Sequence, residues 1–303
     1  MVITLKDMDS LLKQDVRIPV PSRYGSSALE GHLLLPTADP RAVLTIHPAT
    51  ATPERFYFSF AEAAAARGFA VVTYGFRGVG DRTEARAHRH IRMRDWISED
   101  VAAAGAWAEE RFPDLPHTAL GHSVGGHALL LGYGGQRLSG IATIATAMVA
   151  AREIAPRSER FRVEFGLGVF GRAITRVFGY MPGSRVGLGE DIPAAALYEW
   201  TKWLRRPHFF FDDPSFDAEA RASRLRTPVL SIGTSDDPWA TMAFIDAITD
   251  RLRLAPVTRR TFAPEELGVK SIGHHGLMRR STAEAAWPEI LDWLDARAAA
   301  DNR

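Results

Sequence analysis

The hydrophobic pattern begins with two segments, VRIPV (16–20) and LEGHLLLP (29–36), which flank the turn-forming sequence YGSS. This arrangement predicts an antiparallel pair of strands. From residue 42 onward the pattern changes to continuous apolar runs that are separated by helical stretches. A strand that is covered on both faces needs apolar residues throughout, so this second pattern predicts a mostly parallel sheet with helices on both faces.

The later apolar runs share abrupt ends at proline, glycine or polar residues. They are AVLTIHP (42–48), FAVVTYGFRG (69–78), HTALG (117–121), LSGIATIATAM (138–148), TPVLSIG (227–233) and PVTRRTFAP (256–264). Helices are predicted at 58–68, at 93–111, from Ser123 onward, at 241–254 and around Trp287–Leu294. Because ligands bind at the carboxyl ends of parallel strands, functional residues are expected directly after these runs.

The alternation of strands and helices breaks at residues 151–213, where arginines alternate with aromatic residues. Asp191 is predicted to cap a helix that has Pro193 in its first turn. One face of that helix would carry Ile192, Ala196, Trp200 and Trp203. We therefore predict an α/β core formed by residues 1–150 and 214–303, with a helical cap inserted at 151–213. The alternative is that these aromatic residues complete the core.

Composition narrows the classes of function. The 303 residues carry a net charge of +1, so no global field favours nucleic acid or anionic lipid. The chain has no cysteine, which excludes disulfides and thiolate nucleophiles. The N-terminal sequence lacks the pattern of a signal peptide, and no apolar stretch is long enough for a membrane span. A cytoplasmic protein is expected.

The strongest candidate for chemistry is Ser123 in the sequence GHSVG (121–125). The pattern alone is weak, but it lies between a predicted strand and a predicted helix, which is the context that a nucleophile elbow requires. The turn is so tight that Gly121 and Gly125 fit it because they lack side chains. It also leaves the backbone N–H of Val124 available to an oxyanion.

A serine nucleophile needs a base, and the base needs an orienting acid. Asp236 and Asp237 follow the strand at 229–233, whereas His274 and His275 follow the strand near 257–262, so chain order and placement both fit. Asp237 is preferred because DPWAT resembles a D-P-x-x-P ending, although counting G-x-x-D from the preceding glycine selects Asp236. His274 is preferred because it directly follows a glycine, and His275 would line the pocket.

Together these blocks resemble the α/β-hydrolase superfamily, and in particular a bacterial group of serine esterase or lipase-like proteins. The resemblance extends over about 42–295 through HPATATPERFY, YGFRGVGDR, GHSVGG, GYMPGSRVGLGEDIP, EWTKWLRRP, SDDPWA, IGHHGLMR and WPEILDWL. It implies an α/β-hydrolase fold with a helical cap, a triad of Ser123, Asp237 and His274, and no cofactor. Two positions depart from the pattern: Gly75 replaces an aspartate, and Thr241 replaces a proline.

The second oxyanion donor is expected in HPATAT (47–52), where such hydrolases carry His-Gly-x. The N–H of Ala49 is preferred over that of Thr50, and Pro48 has no N–H to donate. A structural role is expected for His47.

The expected reaction is hydrolysis of a small-molecule carboxylic ester with an apolar portion. Thioester hydrolysis, acyl transfer and C–C bond hydrolysis on the same triad are alternatives, as is a non-catalytic small-ligand-binding protein. His88 and His90 lack a carboxylate at metal-ligand spacing, so no metal is expected. No nucleic-acid partner is expected, and a homodimer is left open.

Overall fold

The computed structural model describes residues 11–301, without the side chain of the last of these. The expectation about a signal peptide rests mainly on residues 1–10, which lie outside the described residues. The strands are β1 Leu12–Val20, β2 Ser27–Leu35, β3 Ala42–His47, β4 Phe69–Tyr74, β5 His117–His122, β6 Leu138–Ile144, β7 Tyr180–Met181, β8 Ile192–Pro193, β9 Val229–Thr234 and β10 Val257–Phe262.

Eight of these strands form one sheet in the order β1-β2-β4-β3-β5-β6-β9-β10. The pair β1 and β2 is antiparallel, and β2 pairs antiparallel with β4. From β4 to β10 all neighbours are parallel. Every residue of β3, β4, β5 and β9 is buried, as expected for strands that are covered on both faces. The predicted α/β architecture is therefore confirmed.

Helices pack around this sheet, and other helices form, together with β7 and β8, the segment between β6 and β9. They are α1 Phe58–Ala66, α2 Arg82–Ala87, α3 Met93–Asp95, α4 Val101–Arg111, α5 Val124–Leu130, α6 Arg157–Phe161, α7 Arg172–Phe178, α8 Gly183–Val186, α9 Ala194–Leu204, α10 Ala218–Ala222, α11 Met242–Thr249 and α12 Ala283–Asp301. Two π-helical segments, Trp96–Asp100 and Arg162–Gly171, join α3 to α4 and α6 to α7.

The prediction that Asp191 caps a helix is wrong. Helix α9 begins at Ala194, and its N-cap residue is Pro193. The carboxylate of Asp191 instead accepts hydrogen bonds from the amide (3.1 Å) and hydroxyl (2.7 Å) of Ser184. The physical reason is that Pro193 disfavours a helical conformation at Ile192, and both residues pair as the short strand β8 with β7.

The aromatic residues of the segment 151–213 divide between two environments. In its C-terminal part, Trp203, Phe209 and Phe210 are buried. In its N-terminal part, Phe161 and Phe165 are exposed and stack on each other with ring centroids 4.7 Å apart. The aromatic residues of this segment are therefore part of the packed interior in its C-terminal part and lie on the surface in its N-terminal part.

An ionic network attaches the C-terminal part of this segment to the core. Arg94 lies in α3, just before the first π-helical segment. Its guanidinium donates to Glu199 (2.5 Å) and Asp213 (2.9 Å). Asp213 also accepts a hydrogen bond from the indole N–H of Trp203, at 3.0 Å. These charged side chains are almost fully buried and each has a partner, so separating them would leave an uncompensated buried charge.

Candidate active site

Ser123 occupies the sharp turn between β5 and α5. Its φ of 53° and ψ of −111° are strained for a residue with a side chain. A Cβ atom at Gly121 would lie 2.5 Å from the amide nitrogen of Gly126, and one at Gly125 would collide with the carbonyl oxygen of His47. The two glycines are therefore required by close packing of the turn, as the sequence predicts, and the serine side chain is presented at the end of the strand.

Asp237 and His274 are brought together at the same end of the sheet. Nδ1 of His274 lies 2.7 Å from Oδ2 of Asp237. The carboxylate is buried and also accepts the backbone N–H of Trp239 at 2.9 Å. Burial alone would raise the pKa of Asp237, but the hydrogen bonds from His274 and from backbone amides lower it. The carboxylate is therefore ionised at neutral pH and holds a proton on Nδ1 of His274.

Asp236 has a different position and a different set of partners. Its carboxylate accepts the backbone N–H of Ile272 at 2.8 Å and that of Gly273 at 2.9 Å. It therefore fixes the backbone of the loop that carries His274 and makes no hydrogen bond to the ring. Of the two adjacent aspartates, the structure brings Asp237 to the histidine, whereas Asp236 binds the backbone of the loop.

His275 lines the same cavity, with Nε2 3.2 Å from the hydroxyl of Thr52. Burial, together with the neighbouring ring of His274, lowers the pKa of His275 to about 4. This imidazole is therefore neutral at physiological pH. Its position next to the cavity agrees with the expectation that His275 shapes the pocket.

A cavity of about 320 Å³ joins these residues. The α/β core contributes Ser123, Asp237 and His274 together with Ala49, Thr50, Val124 and His275, and we call these residues the core wall. The segment 151–213 contributes a second set, which we call the insertion wall: Glu159, Arg162, Gly187, Leu188, Trp200, Leu204 and Phe209. Across residues 11–301, no hydrogen bond joins the Ser123 hydroxyl to the His274 ring, although both face this cavity.

In the loop after β3, the amides of Ala49 and Thr50 differ in whether they are hydrogen-bonded. The N–H of Ala49, the predicted oxyanion donor, already donates to the hydroxyl of Tyr57 at 2.8 Å. The N–H groups of Thr50 and Val124 donate to no acceptor within the described part of the chain, and both residues line the cavity. Val124 is the first residue of α5, where the helix itself supplies no acceptor.

His122, next to the serine, connects three parts of the site, and sequence analysis missed this role. Its Nε2 lies 2.9 Å from the carbonyl oxygen of His274, and its Nδ1 lies 2.9 Å from the hydroxyl of Tyr57. Burial lowers the pKa of His122 well below the ordinary value, so the ring is neutral. Because a carbonyl can only accept, Nε2 carries the proton and Nδ1 accepts from Tyr57.

The resulting chain of hydrogen bonds has a single direction. The N–H of Ala49 donates to Tyr57, the Tyr57 hydroxyl donates to His122, and His122 donates to the carbonyl of His274. Burial raises the pKa of Tyr57, which keeps its hydroxyl protonated. The chain thus connects the loop after β3 to the loop that carries His274. In the sequence, only His122 within GHSVG could have indicated this chain of hydrogen bonds.

The segment 151–213 contacts the site at two loops. The indole N–H of Trp239 donates to the carboxylate of Glu159 at 3.3 Å, and the ring lies 5.9 Å from that of Trp200. The amide of Glu190 donates to the carbonyl of Ala51 at 2.8 Å. Since Trp239 also donates to Asp237, the insertion is connected to the acid loop as well as to the loop after β3.

His47 is fully buried behind the site, with its Nδ1 2.8 Å from the hydroxyl of Tyr74. Burial lowers the pKa of His47 to about 3. The ring therefore remains neutral, and it has the structural position that the sequence predicts.

A family model described as "Serine aminopeptidase, S33" (Hydrolase_4) matches residues 38–263, which is more than half of the chain. The chain belongs to this family of α/β hydrolases. Residues 38–263 take in the strands from β3 to β10, the segment 151–213, Ser123 and Asp237, but end before His274. The predicted membership of the α/β-hydrolase superfamily is thereby confirmed.

Solved structures place this S33 family member among α/β-hydrolase folds. A lipase in its open form is 16% identical, with a TM-score of 0.60 over 95% of this chain and 99% of the other. Brefeldin A esterase, a bacterial homologue of human hormone-sensitive lipase, is 19% identical, with a TM-score of 0.61 over 100% of this chain and 80% of the other. A putative hydrolase from Agrobacterium vitis S4 is 16% identical, with a TM-score of 0.58 over 95% and 99%.

No curated protein matches the sequence of this S33 family member closely enough to count as a relative. Between residues 11 and 301, none of its helices combines the length and the apolar character needed to cross a membrane. Over the same residues, no group of three or more histidine, aspartate or glutamate side chains is arranged to hold a metal ion.

Proposed function

We propose that the protein is a serine hydrolase that cleaves carboxylic esters through an acyl-enzyme intermediate. Ser123 attacks the ester carbonyl while Nε2 of His274 takes the hydroxyl proton, and the same ring then returns it to the leaving alcohol. Asp237 keeps the ring in the required tautomer and stabilises its protonated form. The observation that carries this proposal is the 2.7 Å hydrogen bond between His274 and the buried Asp237, in the cavity that Ser123 also lines.

The proton transfer needs a hydrogen bond between Oγ of Ser123 and Nε2 of His274, and none joins them among residues 11–301. Hydrogen bonds between catalytic groups are often formed only in the complex with substrate. We propose that substrate binding brings Oγ of Ser123 to Nε2 of His274.

The developing oxyanion would be bound by two backbone amides. Val124 supplies one from the N-terminus of α5, where the helix dipole also favours negative charge. We propose Thr50 as the second donor, since its N–H has no acceptor in the described residues, whereas that of Ala49 is held by Tyr57. Ala49 would serve only after the Tyr57 hydroxyl had moved away.

The insertion wall supports a substrate with an apolar acyl or alcohol portion. Leu188, Trp200, Leu204 and Phe209 supply most of this wall, and an apolar lining with a few convergent polar groups is typical of small-molecule sites. We propose that residues 151–213 act as a cap that selects the substrate. The names of the similar structures, a lipase and brefeldin A esterase, agree with an ester substrate.

The family description suggests a second candidate, an aminopeptidase. That reaction needs an acceptor for the ammonium group of the peptide, usually a carboxylate. Asp237 and Glu159 are the acidic side chains that line the cavity, and both are engaged: Asp237 with His274, and Glu159 with Trp239 and Arg162 (3.0 Å). The site therefore favours ester over peptide hydrolysis.

Pre-steady-state hydrolysis of p-nitrophenyl esters of graded acyl length tests the proposal. An acyl-enzyme mechanism whose deacylation is slower than acylation gives a burst of about one nitrophenolate per Ser123, absent in Ser123→Ala. Matched thioesters and aminoacyl p-nitroanilides in the same assay separate the alternative reactions. Faster turnover of an aminoacyl anilide than of every ester would replace the esterase by the aminopeptidase.

A further inference from the structure

An exposed apolar strip runs along the helical stretch that begins the insertion. Of the ten large apolar side chains exposed among residues 11–301, six lie here, and their exposed fractions range from 40% to 80%. We call them the aromatic strip: Phe161, Phe165, Val169, Phe170, Val177 and Phe178. A soluble surface normally carries such residues singly, so this concentration indicates an interaction surface.

The strip is not needed to complete the fold. The opposite side of the same helical stretch, at Val163, Leu167, Gly171 and Thr175, is buried against the rest of the insertion. The buried residues recur at every fourth position, and the exposed apolar residues fall between them, which separates an inner face from an outer face. The outer, aromatic face is therefore left for a partner.

Charge identifies the class of partner. Residues 157–178 contain five arginines and two glutamates, which gives a local charge of +3 in a chain whose total is +1. Arg157, Arg162 and Arg176 are exposed next to the aromatic strip. Arginines beside phenylalanines on one helical face are typical of helices that lie in the interface of an anionic bilayer.

We propose that the aromatic strip docks on the surface of an anionic lipid bilayer. The phenylalanines would enter the boundary between headgroups and acyl chains, and the arginines would contact lipid phosphates. A second copy of the chain fits less well, because a twofold interface would bring the same arginines face to face. Arg162 follows Phe161 in the chain and also lines the cavity, so the docked surface would adjoin the cavity.

Flotation of the full chain with vesicles tests the proposal without any assay of hydrolysis. Vesicles of phosphatidylglycerol and phosphatidylcholine in equal parts are compared with vesicles of phosphatidylcholine alone, at low and at high salt. The test variant is Phe161→Ser with Phe165→Ser and Phe170→Ser. The matched control is Leu12→Ser with Leu254→Ser, which removes two exposed apolar side chains elsewhere (52% and 47% exposed). Thermal melting verifies that each variant folds.

The expected result is binding to the anionic vesicles, at least tenfold weaker in the triple variant, unchanged in the control and weakened by salt. A second variant, Arg157→Gln with Arg176→Gln, should weaken anionic binding while leaving the apolar residues in place. Absence of binding by the unaltered chain, or equal binding by the triple variant, would overturn the proposal. So would light scattering that shows a dimer which the triple variant converts to a monomer, because the strip would then be the interface between two copies.

Discussion

The two walls of the cavity are constructed differently. On the core wall, the polar groups around Ser123 are held by short hydrogen bonds that extend from Asp237 through His274 to His122 and Tyr57. On the insertion wall, most lining residues are apolar, and contact with the acid loop is made through the longer hydrogen bond of Glu159 with Trp239. Preorganised polar groups suit charge development, whereas an apolar wall suits the shape of a substrate.

The insertion itself repeats this contrast on a smaller scale. Its C-terminal part is fixed to the core through the buried partners of Arg94, whereas its N-terminal part carries the aromatic strip on its surface. The difference indicates that altering the core wall should lower kcat, and altering the insertion wall should mainly change KM. The predictions below test that division.

The largest effect is expected from the acid on the core wall. Asp237→Asn should lower kcat on the order of 10⁴-fold, because an amide no longer holds the catalytic tautomer of His274. The matched control is Asp236→Asn, which should lower kcat less than tenfold and the free energy of unfolding by about 1–3 kcal/mol, since two backbone amides lose a charged acceptor. Steady-state kinetics and denaturant unfolding measure both; equal losses of kcat would refute the distinction between the two aspartates.

A smaller loss of kcat is expected from the hydrogen-bond chain behind the core wall. Tyr57→Phe removes both the acceptor of the Ala49 amide and the donor to His122, so kcat should fall roughly 10- to 100-fold at constant KM, within the range seen when supporting groups are removed. Tyr74→Phe is the control, because within residues 11–301 that hydroxyl is hydrogen-bonded only to the structural His47. If Tyr57→Phe instead raised kcat by freeing the amide of Ala49, then Ala49 rather than Thr50 would be the oxyanion donor.

Acid should destabilise the fold through two neutral histidines that line the cavity, His127 and His275. Burial lowers the pKa of His127 and of His275 to about 4 each, against an ordinary value near 6.5. Between pH 6.5 and 4 the unfolded chain therefore binds more protons than the folded chain. The free energy of unfolding decreases as the pH is lowered through this range, by on the order of 1–3 kcal/mol per histidine. When urea unfolding is measured across this pH range, the free energy of unfolding should depend less steeply on pH in His275→Gln than in the unaltered chain. A slope unchanged by that substitution would contradict the neutral state of His275.

The smallest effect is expected on the insertion wall. Glu159→Ala removes the acceptor of the Trp239 indole, so KM for an apolar ester should change about two- to fivefold while kcat stays within a factor of two, as for lost uniform binding. Glu164→Ala, on the same helical stretch, is the control. A tenfold fall of kcat in Glu159→Ala alone would show that the insertion wall takes part in positioning Asp237.

The parallel core could be predicted from sequence because continuous apolar strands such as β3 and β4 admit few other structures. The position of Ser123 followed for the same reason, since its motif lies where a strand changes to a helix. The glycines on either side then fixed the turn, as their lack of space for a Cβ atom shows.

Other features depend on backbone direction and on distant contacts. Asp236 and Asp237 are adjacent and chemically identical, so only the path of the loop decides which carboxylate reaches His274. The amide of Ala49 is occupied by Tyr57, which lies eight residues away. Thr241, which departs from the superfamily pattern, caps helix α11 by accepting the amide of Phe244, so a proline is not needed there. The exposure of Phe161 depends on which side of its helix is already covered.

Labelling with a fluorophosphonate probe, followed by mass mapping of the modified peptide, tests the central claim most directly. The unaltered chain, Asp236→Asn, Asp237→Asn and Ser123→Ala are compared at equal concentration. We predict one label per chain on Ser123, rapid in the unaltered chain and in Asp236→Asn, much slower in Asp237→Asn and absent in Ser123→Ala. Absence of label on the folded, unaltered chain, or label on another residue that persists in Ser123→Ala, would contradict the assignment of Ser123 as an activated nucleophile.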